Sequence, residues 1–531
     1  MQQIVAQTYC RSYGDIGTEY SGKSIQTSDG GFLITGNSNS WSGDFFDFYI
    51  VKTDSAANQI WSTVVYTEME DIAKAAVELN DGSFLIAGSA YTEVGGYDVA
   101  LVQLNAAGEL ITSRFIGDET NNIGNQLIKT IDGGYVVVGY TDTVGAALIT
   151  YQPMILKLNA ALEVEWSRRF TFCGTCSGEA MDVVQLQDGN LIVTGYLHTG
   201  FPVTTGDMFV AKFTSTGTLS WFNKSGKNDK FESGNSIVAV NSDKFIIAGS
   251  SFEDNYDIYL SEIDGDGNTI WQKIINSGTS EMAAQIIQTH DNQYAIAGTR
   301  DTGEDDYYLL KLDTAKQIVF SAFAGGDEIE AASGLLETKS NNFLLTGHGI
   351  PIGEFYDEIY VLQFDETGYN CSKTDSGGTV EIYDGAYTIG GFAMPITFAV
   401  DSGAEWFSGS GFTTICADTA TEDTSTISLD EVKSLANCRL YPNPAASFVE
   451  INNVPSGLFT TTIKVLNSSG QLVYETVIPK GQTSCSIDVS GMSDGLYLVN
   501  ISNGDDYKVF QLVVTHNCYS ASYVLNIFQT G

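Results

Sequence analysis

One phrase returns seven times along this chain, and it limits the possible folds more than any other feature. Asp29-Gly-Gly-Phe-Leu-Ile-Thr-Gly36 recurs as Asp81-Gly-Ser-Phe-Leu-Ile-Ala-Gly88, Asp132-Gly-Gly-Tyr-Val-Val-Val-Gly139 and Asp188-Gly-Asn-Leu-Ile-Val-Thr-Gly195. Weaker copies end at Gly249, Gly298 and Gly347, so successive closing glycines lie 52, 51, 56, 54, 49 and 49 residues apart. A fixed period of this size is one supersecondary unit copied in tandem. Within the second unit, apolar runs at Ala75 to Leu79, Phe84 to Gly88, Asp98 to Leu104 and Leu110 to Phe115 are separated by the turn sequences Asn80-Asp81-Gly82 and Asn105 to Gly108. That is the pattern of four short antiparallel strands, and no segment sustains a helical period.

Seven four-stranded units predict an all-β chain whose repeats form a seven-bladed β-propeller, an arrangement that buries both faces of each small sheet. The seventh unit has only three strands before Asp365-Glu-Thr-Gly368, while Ile4 to Gly14 aligns with the fourth strand Ile60 to Tyr66. The N-terminal strand is therefore expected to complete the last blade and close the ring, leaving no open edge. Asp47, Asp98, Asp207, Asp257 and Asp306, with Gln152 and Glu358 at the matching places, recur at the entry of the third strand. Short acids there are expected to accept local hydrogen bonds rather than to form a cation ring. Trp61, Trp166, Trp221, Trp271 and Phe320 recur in the fourth strand and are expected to pack between units.

Charge excludes some partners. Only 25 Lys and Arg stand against 65 Asp and Glu, a net charge of −40. Such a surface repels phosphate backbones, so no nucleic acid is expected as a partner. No run approaches the roughly 18 apolar residues of a membrane-spanning helix. The first residues, Met1 to Thr8, show neither a basic nor an apolar signal region, so a leader is expected to have been removed or lost. Four scattered histidines show no ligand spacing, and Gly174-Thr-Cys176-Ser-Gly178 lacks the strand-to-helix elbow of a nucleophile, so no catalytic and no metal-binding residue is assigned. No cofactor is expected. Calcium has only Asp264-Gly-Asp266-Gly-Asn268 in its favour, and that lies where every repeat has a turn. Of eight cysteines, Cys173 with Cys176, Cys371 with Cys416 and Cys438 with Cys485 are the expected disulfides, leaving Cys10 and Cys518 unassigned.

The C-terminal third changes character. Leu440-Tyr441-Pro442-Asn443-Pro444 opens a run of seven short strands, with a hairpin at Gly470-Gln-Leu-Val-Tyr474, Asp494-Gly495-Leu-Tyr497-Leu-Val499 and a last strand led by Lys508. These residues, in this order, resemble the type A C-terminal sorting domain of the type IX secretion system of Bacteroidota, over about residues 438 to 515. The resemblance implies an immunoglobulin-like β-sandwich and export across the outer membrane by the type IX machinery. It further implies removal of the domain by a sortase-like protease and attachment to surface lipopolysaccharide. One departure is the continuation from His516 to Gly531. The expected organisation is thus a propeller over 1–370, an accessory β segment and polar linker over 371–436, the sorting domain over 437–516, and an atypical tail over 517–531.

The expected function follows from this organisation. It is a secreted or cell-surface, non-catalytic adhesion protein whose propeller loops bind a glycan or another surface protein. The candidate loop residues are Trp41, Phe45, Phe46, Tyr91, Tyr97, His198 and Phe201, between the second and third strands of their units. Two alternatives stay open: an extracellular polysaccharide hydrolase or lyase, and a surface or filament protein that self-associates through the tail.

Overall fold

The computed structural model describes residues 8–370 apart from 16, 68, 254 and the segments 42–44, 93–95, 143–149, 172–175, 200–205, 227–229, 302–304, 326–329 and 351–355. It describes six strand backbones within 371–417, and seven strands with adjoining turns within 439–514. Every regular element among these residues is a β-strand, and the chain divides into two compact units, 1–421 and 422–531.

In the first, each repeat folds as an antiparallel meander. Repeat 2 runs Asp71–Glu78, Phe84–Thr92, Gly96–Leu104 and Leu110–Gly117, each strand paired with the next. The strands extend past the apolar runs of the sequence because the ladder continues to the loop, as in Tyr91 opposite Tyr97. The others span 19–66, 122–171, 176–225, 231–276, 280–324 and 330–364. Repeats 4 and 5 are further joined by the short strand Phe231–Glu232, which pairs with Gly206 and with Phe252. Repeat 7 takes its fourth strand from the N-terminus: Tyr9–Tyr13 pairs with Glu358–Phe364 from Tyr9 opposite Gln363 to Tyr13 opposite Ile359. The expected strand portion at Ile4 to Gln7 lies outside the described residues.

Packing explains why second and third strands read as unbroken apolar runs. Every residue of Phe32–Ser38 and of Asp47–Thr53 is buried, because both faces of the sheet meet a neighbouring sheet. Leu33, Ile50 and Val65 of repeat 1 share a core with Ala73, Phe84, Ile86 and Val102 of repeat 2. Each first strand packs against that of the following repeat, and that of repeat 7 against that of repeat 1. Tyr9, Tyr13, Leu344 and Val361 of repeat 7 form one cluster with Phe32, Ile34, Tyr49 and Val51 of repeat 1. Each such side chain, fully buried, contributes about 1.5–3 kcal/mol.

The fourth-strand aromatics link neighbouring repeats. Trp61 donates its indole N–H to Ala106 O, Trp166 to Ser215 O and Trp221 to Gly265 O, each 3.1 Å away in the next repeat's turn.

The closing glycine of the repeat has a steric cause. Opposite it the first strand carries a β-bulge, as between Ala180 and Asp182, which pushes a backbone carbonyl toward the second strand. A Cβ on Gly195 would stand 1.9 Å from Glu179 O, and one on Gly88 1.8 Å from Ile72 O. Gly195→Ala is expected to cost about 3 kcal/mol, the upper end of overpacking. The turn substitution Gly189→Ala, at φ +84° with only Ser215 Cβ near the new methyl group, at 3.4 Å, should cost about 1 kcal/mol. Urea midpoints of the two variants check the order.

The accessory segment behaves as a belt. Its strands Thr374–Ser376, Glu381–Tyr383, Phe392–Pro395, Ala399–Asp401, Glu405–Gly409 and Thr413–Ala417 add a fifth, antiparallel strand to the outer edge of repeats 6, 5, 3, 2, 1 and 7 in turn.

In the second unit, one sheet holds Arg439–Tyr441, Phe448–Asn452 and Cys485–Asp488, and the other Leu472–Ile478, Thr461–Asn467, Gly495–Asn503 and Asp506–Val514. Val449, Ile451 and Ile487 of the first meet Ile463, Val465, Val499, Ile501 and Leu512 of the second in one apolar core.

The cysteines need a correction. Cys485 carries a free thiol, so the expected bridge from Cys438 to Cys485 is not formed. Arg439 and Cys485 lie on strands at opposite edges of a three-stranded sheet, flanking Phe448–Asn452. Cys438 itself lies outside the described residues. Cys176 is disulfide-bonded. Its expected partner Cys173 lies outside the described residues, as do Cys371 and Cys518. Cys10 is a buried free thiol, and the belt places Cys416 directly opposite it in register.

Candidate functional site

The loops between second and third strands emerge from one end of the sheets, and the described side chains there are rich in tyrosine. Tyr140 and Tyr151 pack at 5.2 Å, and the Tyr151 hydroxyl lies 2.9 Å from His198 Nε2. Tyr196 lies 5.6 Å from Phe231, Tyr91 stands edge-on to Tyr97 at 5.3 Å, and Phe252 meets Tyr256 at 4.9 Å. Tyr20 contacts Phe46 at 5.3 Å and His348 at 4.8 Å. Such rings present an apolar face with a polar tip, as binding surfaces for sugars and proteins do.

Among the loop residues expected from the sequence, Phe46, Tyr91 and Tyr97 belong to this surface, and Phe45 is exposed beside it. Trp41 instead turns onto Tyr49 at 4.8 Å and joins the core cluster, and His198 is buried behind Tyr151. Phe201 lies outside the described residues. Sequence reasoning missed Tyr20, Tyr140, Tyr196 and His348. The last three occupy the position after the closing glycine, where Asn37, Ser89 and Thr299 accept a backbone N–H from the next repeat. A change there from a small polar residue to a large ring was a visible departure from the repeat.

Charged groups line the inner wall. Glu179 accepts hydrogen bonds from the Tyr196 hydroxyl at 2.7 Å and from Asn125 Nδ2 at 3.4 Å. Burial raises its pKa, against those bonds and the charge of Lys74. Lys74 is exposed, yet enough protein surrounds it for desolvation to lower its pKa, with Glu179 opposing. Burial, and then the charge of Lys74, bring His348 down to about 4, so it is neutral near pH 7. Asp182 is fully engaged by Gln126, Ser236 and the N–H groups of Val183 and Ile237, and Lys23 Nζ lies 3.8 Å away. Glu179 and Asp182 therefore do not supply the two free carboxyls that glycoside hydrolysis uses.

The third-strand acids meet first-strand acids of the next repeat. Asp207 Oδ1 and Glu232 Oε2 lie 2.9 and 2.6 Å from where a Cβ on Gly226 would be. Lys224 neutralises Asp207 at 2.6 Å, and Asp98 takes the Thr92 hydroxyl at 2.9 Å. The calcium-like sequence at Asp264 folds as a turn, its carboxylate accepting the N–H groups of Asp266 and Asn268. No group of three or more metal-ligating side chains occurs among the described residues.

At the junction of repeats 1 and 2, burial pushes Asp71 up to about 8, with the charges of Asp47 and Glu70 adding to it and hydrogen bonds from Thr67 opposing. Burial likewise raises Glu19 to about 7, against bonds from Ser38, Ser40 and the Asp15 N–H and with the charge of Glu358. Both acids are protonated in the fold at pH values where the unfolded chain ionises them, so their contribution is fully present below about pH 4 and falls as pH rises to 7–8. Opposing this at the acid end, partial burial would raise Asp29, but hydrogen bonds from Lys52, Thr27 and the Gly31 N–H and the Lys52 charge hold it at about 2. Its stabilisation is present above its unfolded pKa, near 4, and is lost as pH falls toward 2. Repeat 3 carries Asn122 where repeat 2 has Asp71. Asp71→Asn should therefore raise stability by about 1–3 kcal/mol at pH 8.5 and change it little at pH 4, as thermal midpoints at the two pH values would show.

Comparison with known proteins adds the following. The structure of Sqt1 from Chaetomium thermophilum is 10% identical, with a TM-score of 0.36 over 67% of this chain and 98% of that one. A eukaryotic initiation factor gives 8% identity and a TM-score of 0.29 over 70% and 98%. A GH43_12 protein retrieved from a capybara gut metagenome gives 9% and 0.24 over 72% and 98%. At these values none bears on the fold or activity of this chain. No curated protein matches it. Of the motif residues in the C-terminal unit, Gly495 and the buried Tyr497 lie on Gly495–Asn503, and Tyr441 and Lys508, described by their backbone alone, lie on Arg439–Tyr441 and Asp506–Val514. Pro442, Asn443, Pro444 and Gly470 lie outside the described residues. Residues 439–515 match the secretion system C-terminal sorting domain, which marks the chain as cargo of type IX secretion, exported to the cell surface or released.

Proposed function

We propose that the seven repeats form a seven-bladed β-propeller closed by the N-terminal strand, followed by the belt and by an immunoglobulin-like sorting domain. In this reading the exported propeller is a non-catalytic binding protein that holds a glycan or another surface protein at the tyrosine-rich end of its sheets. The supporting observation is the series of ring contacts at that one end, drawn from repeats 1 to 5 and 7.

Retention of the full-length chain on a panel of insoluble polysaccharides, compared with Tyr140→Ala and Tyr97→Ala, tests the glycan form. Retention that falls at least about fivefold in both variants supports it, since each loses an aromatic contact of about 1 kcal/mol or more. Retention equal in all three proteins refutes it.

Export has its own test. Without residues 439–515 the chain should accumulate inside the outer membrane, and mass-spectrometric mapping of the exported protein should find a new C-terminus between about Ala420 and Leu440. An intact Gly531 on the exported protein would contradict processing by the sortase-like protease and favour self-association through the tail.

A further inference from the structure

The first strands pack against one another in order, that of repeat 7 against that of repeat 1, and each repeat carries a bulge residue there. Four of the seven bulge residues are polar: Lys74, Asn125, Asn235 and Ser333. Asn125 donates to Ala180 O at 3.1 Å, Asn235 to Ala283 O at 2.7 Å and Ser333 to Gly22 O at 2.8 Å, each reaching the next repeat. Lys74 makes no such bond and has no ion-pair partner among the described residues, although it sits on the same kind of bulge. Its neighbour Lys23, by contrast, lies 3.8 Å from Asp182 of repeat 4. His348 Nδ1, close enough to feel the Lys74 charge, is buried without a hydrogen-bond partner. Tyr20 packs edge-on to His348, and Glu179, which accepts the Tyr196 hydroxyl, is near enough for its charge to act on Lys74.

A ligand that satisfies these groups together needs one negative charge for Lys74, hydroxyls for the imidazole nitrogen and for Glu179, and an apolar C–H face for a tyrosine ring. The single charge of a carboxylate matches the ammonium of Lys74, unpaired among the described residues, whereas a phosphate near neutral pH carries up to two. We propose that the exposed bulge at Lys74 is a subsite for a carboxylated sugar, a uronate residue of an acidic polysaccharide. Lys74 takes the carboxylate, and His348 and Glu179 take ring hydroxyls. The proposal rests on the ligand-binding reading of this end of the sheets and narrows it to acidic polymers.

The test is calorimetric titration of the full chain with tetragalacturonate, with its methyl ester, which keeps the sugar and removes the charge, and with inorganic phosphate. The acid form should bind about tenfold or more tighter than the ester, the size of a lost charge-assisted hydrogen bond. Lys74→Gln should abolish that preference and Lys74→Arg retain it. Thermal midpoints equal to that of the unmodified chain would show that both variants fold. Equal binding of acid and ester, a preference that survives Lys74→Gln, or no binding of either would overturn the uronate subsite. So would displacement by phosphate at the same concentrations, which would mean a simple anion site. Each of these results leaves the tyrosine surface to its own test, because Tyr140→Ala and Tyr97→Ala are read by retention on the neutral members of the insoluble polysaccharide panel.

Discussion

Removal of residues 1–14 is expected to lower stability by at least about 6 kcal/mol and to shorten the cooperative unfolding transition. Tyr9 and Tyr13 are buried to 2% and 0% exposure, and truncation of each buried aromatic alone costs about 3 kcal/mol or more. The deletion also strips the Glu358–Phe364 strand and the belt strand Thr413–Ala417 of a shared partner, because Tyr9–Tyr13 lies between them. The Tyr13 hydroxyl, which donates to Ala57 O at 2.6 Å, ties the same strand to repeat 1. A midpoint about 12 °C or more lower follows from roughly 2 °C per kcal/mol in large domains. Calorimetry would measure it, and a truncated chain that melts within about 3 °C of the parent would mean that repeat 7 does not depend on this strand.

Replacement of residues 371–417 by a flexible linker should leave the repeats folded but make them associate. In the intact chain six outer strands hand their edge N–H and C=O groups to the belt, for example Ser62 to Tyr66 paired with Gly409 to Glu405. Uncovered, those edges are templates for pairing with another chain. Light scattering after size exclusion should show oligomers that grow with concentration, while far-ultraviolet dichroism keeps its β signature. A strictly monodisperse variant would indicate that the outer strands are protected by their own side chains.

How much of this was legible in the sequence depended on how local the cause is. The repeat glycines and the Asp-Gly turns were plain because one residue meets one constraint, as in Gly133 at φ +84°. Asn292 and Asn341 replace glycine at the matching turn positions, with φ of 60° and 62°, which is why the weaker copies could still be aligned. The belt was legible only as a departure from the period. Its strands are three to five residues long, as in Thr374–Ser376 and Thr413–Ala417, and their order is imposed by distant edges rather than by their own alternation. Lys74 was hidden for a related reason. In the sequence it is one lysine in Asp71–Glu78, and only the bulge opposite Gly88 takes it out of the ladder and leaves it exposed. Cys485 shows the limit of counting: an even number of cysteines says nothing about which strands are adjacent.

The order in which the belt visits the repeats has a mechanical consequence. Thr413–Ala417 is the last strand before the C-terminal unit, and it lies against the strand that closes repeat 7. Were the C-terminal side held at the cell surface and the repeats held by the proposed ligand, tension would enter there first. Peeling would release the strands singly, from repeat 7 through 1, 2 and 3 to 5 and 6, and would lengthen the chain by about 3.4 Å per residue freed. The belt would then act as a shock absorber that extends at low force, and a single-molecule pulling trace should show small, reversible steps before the main rupture.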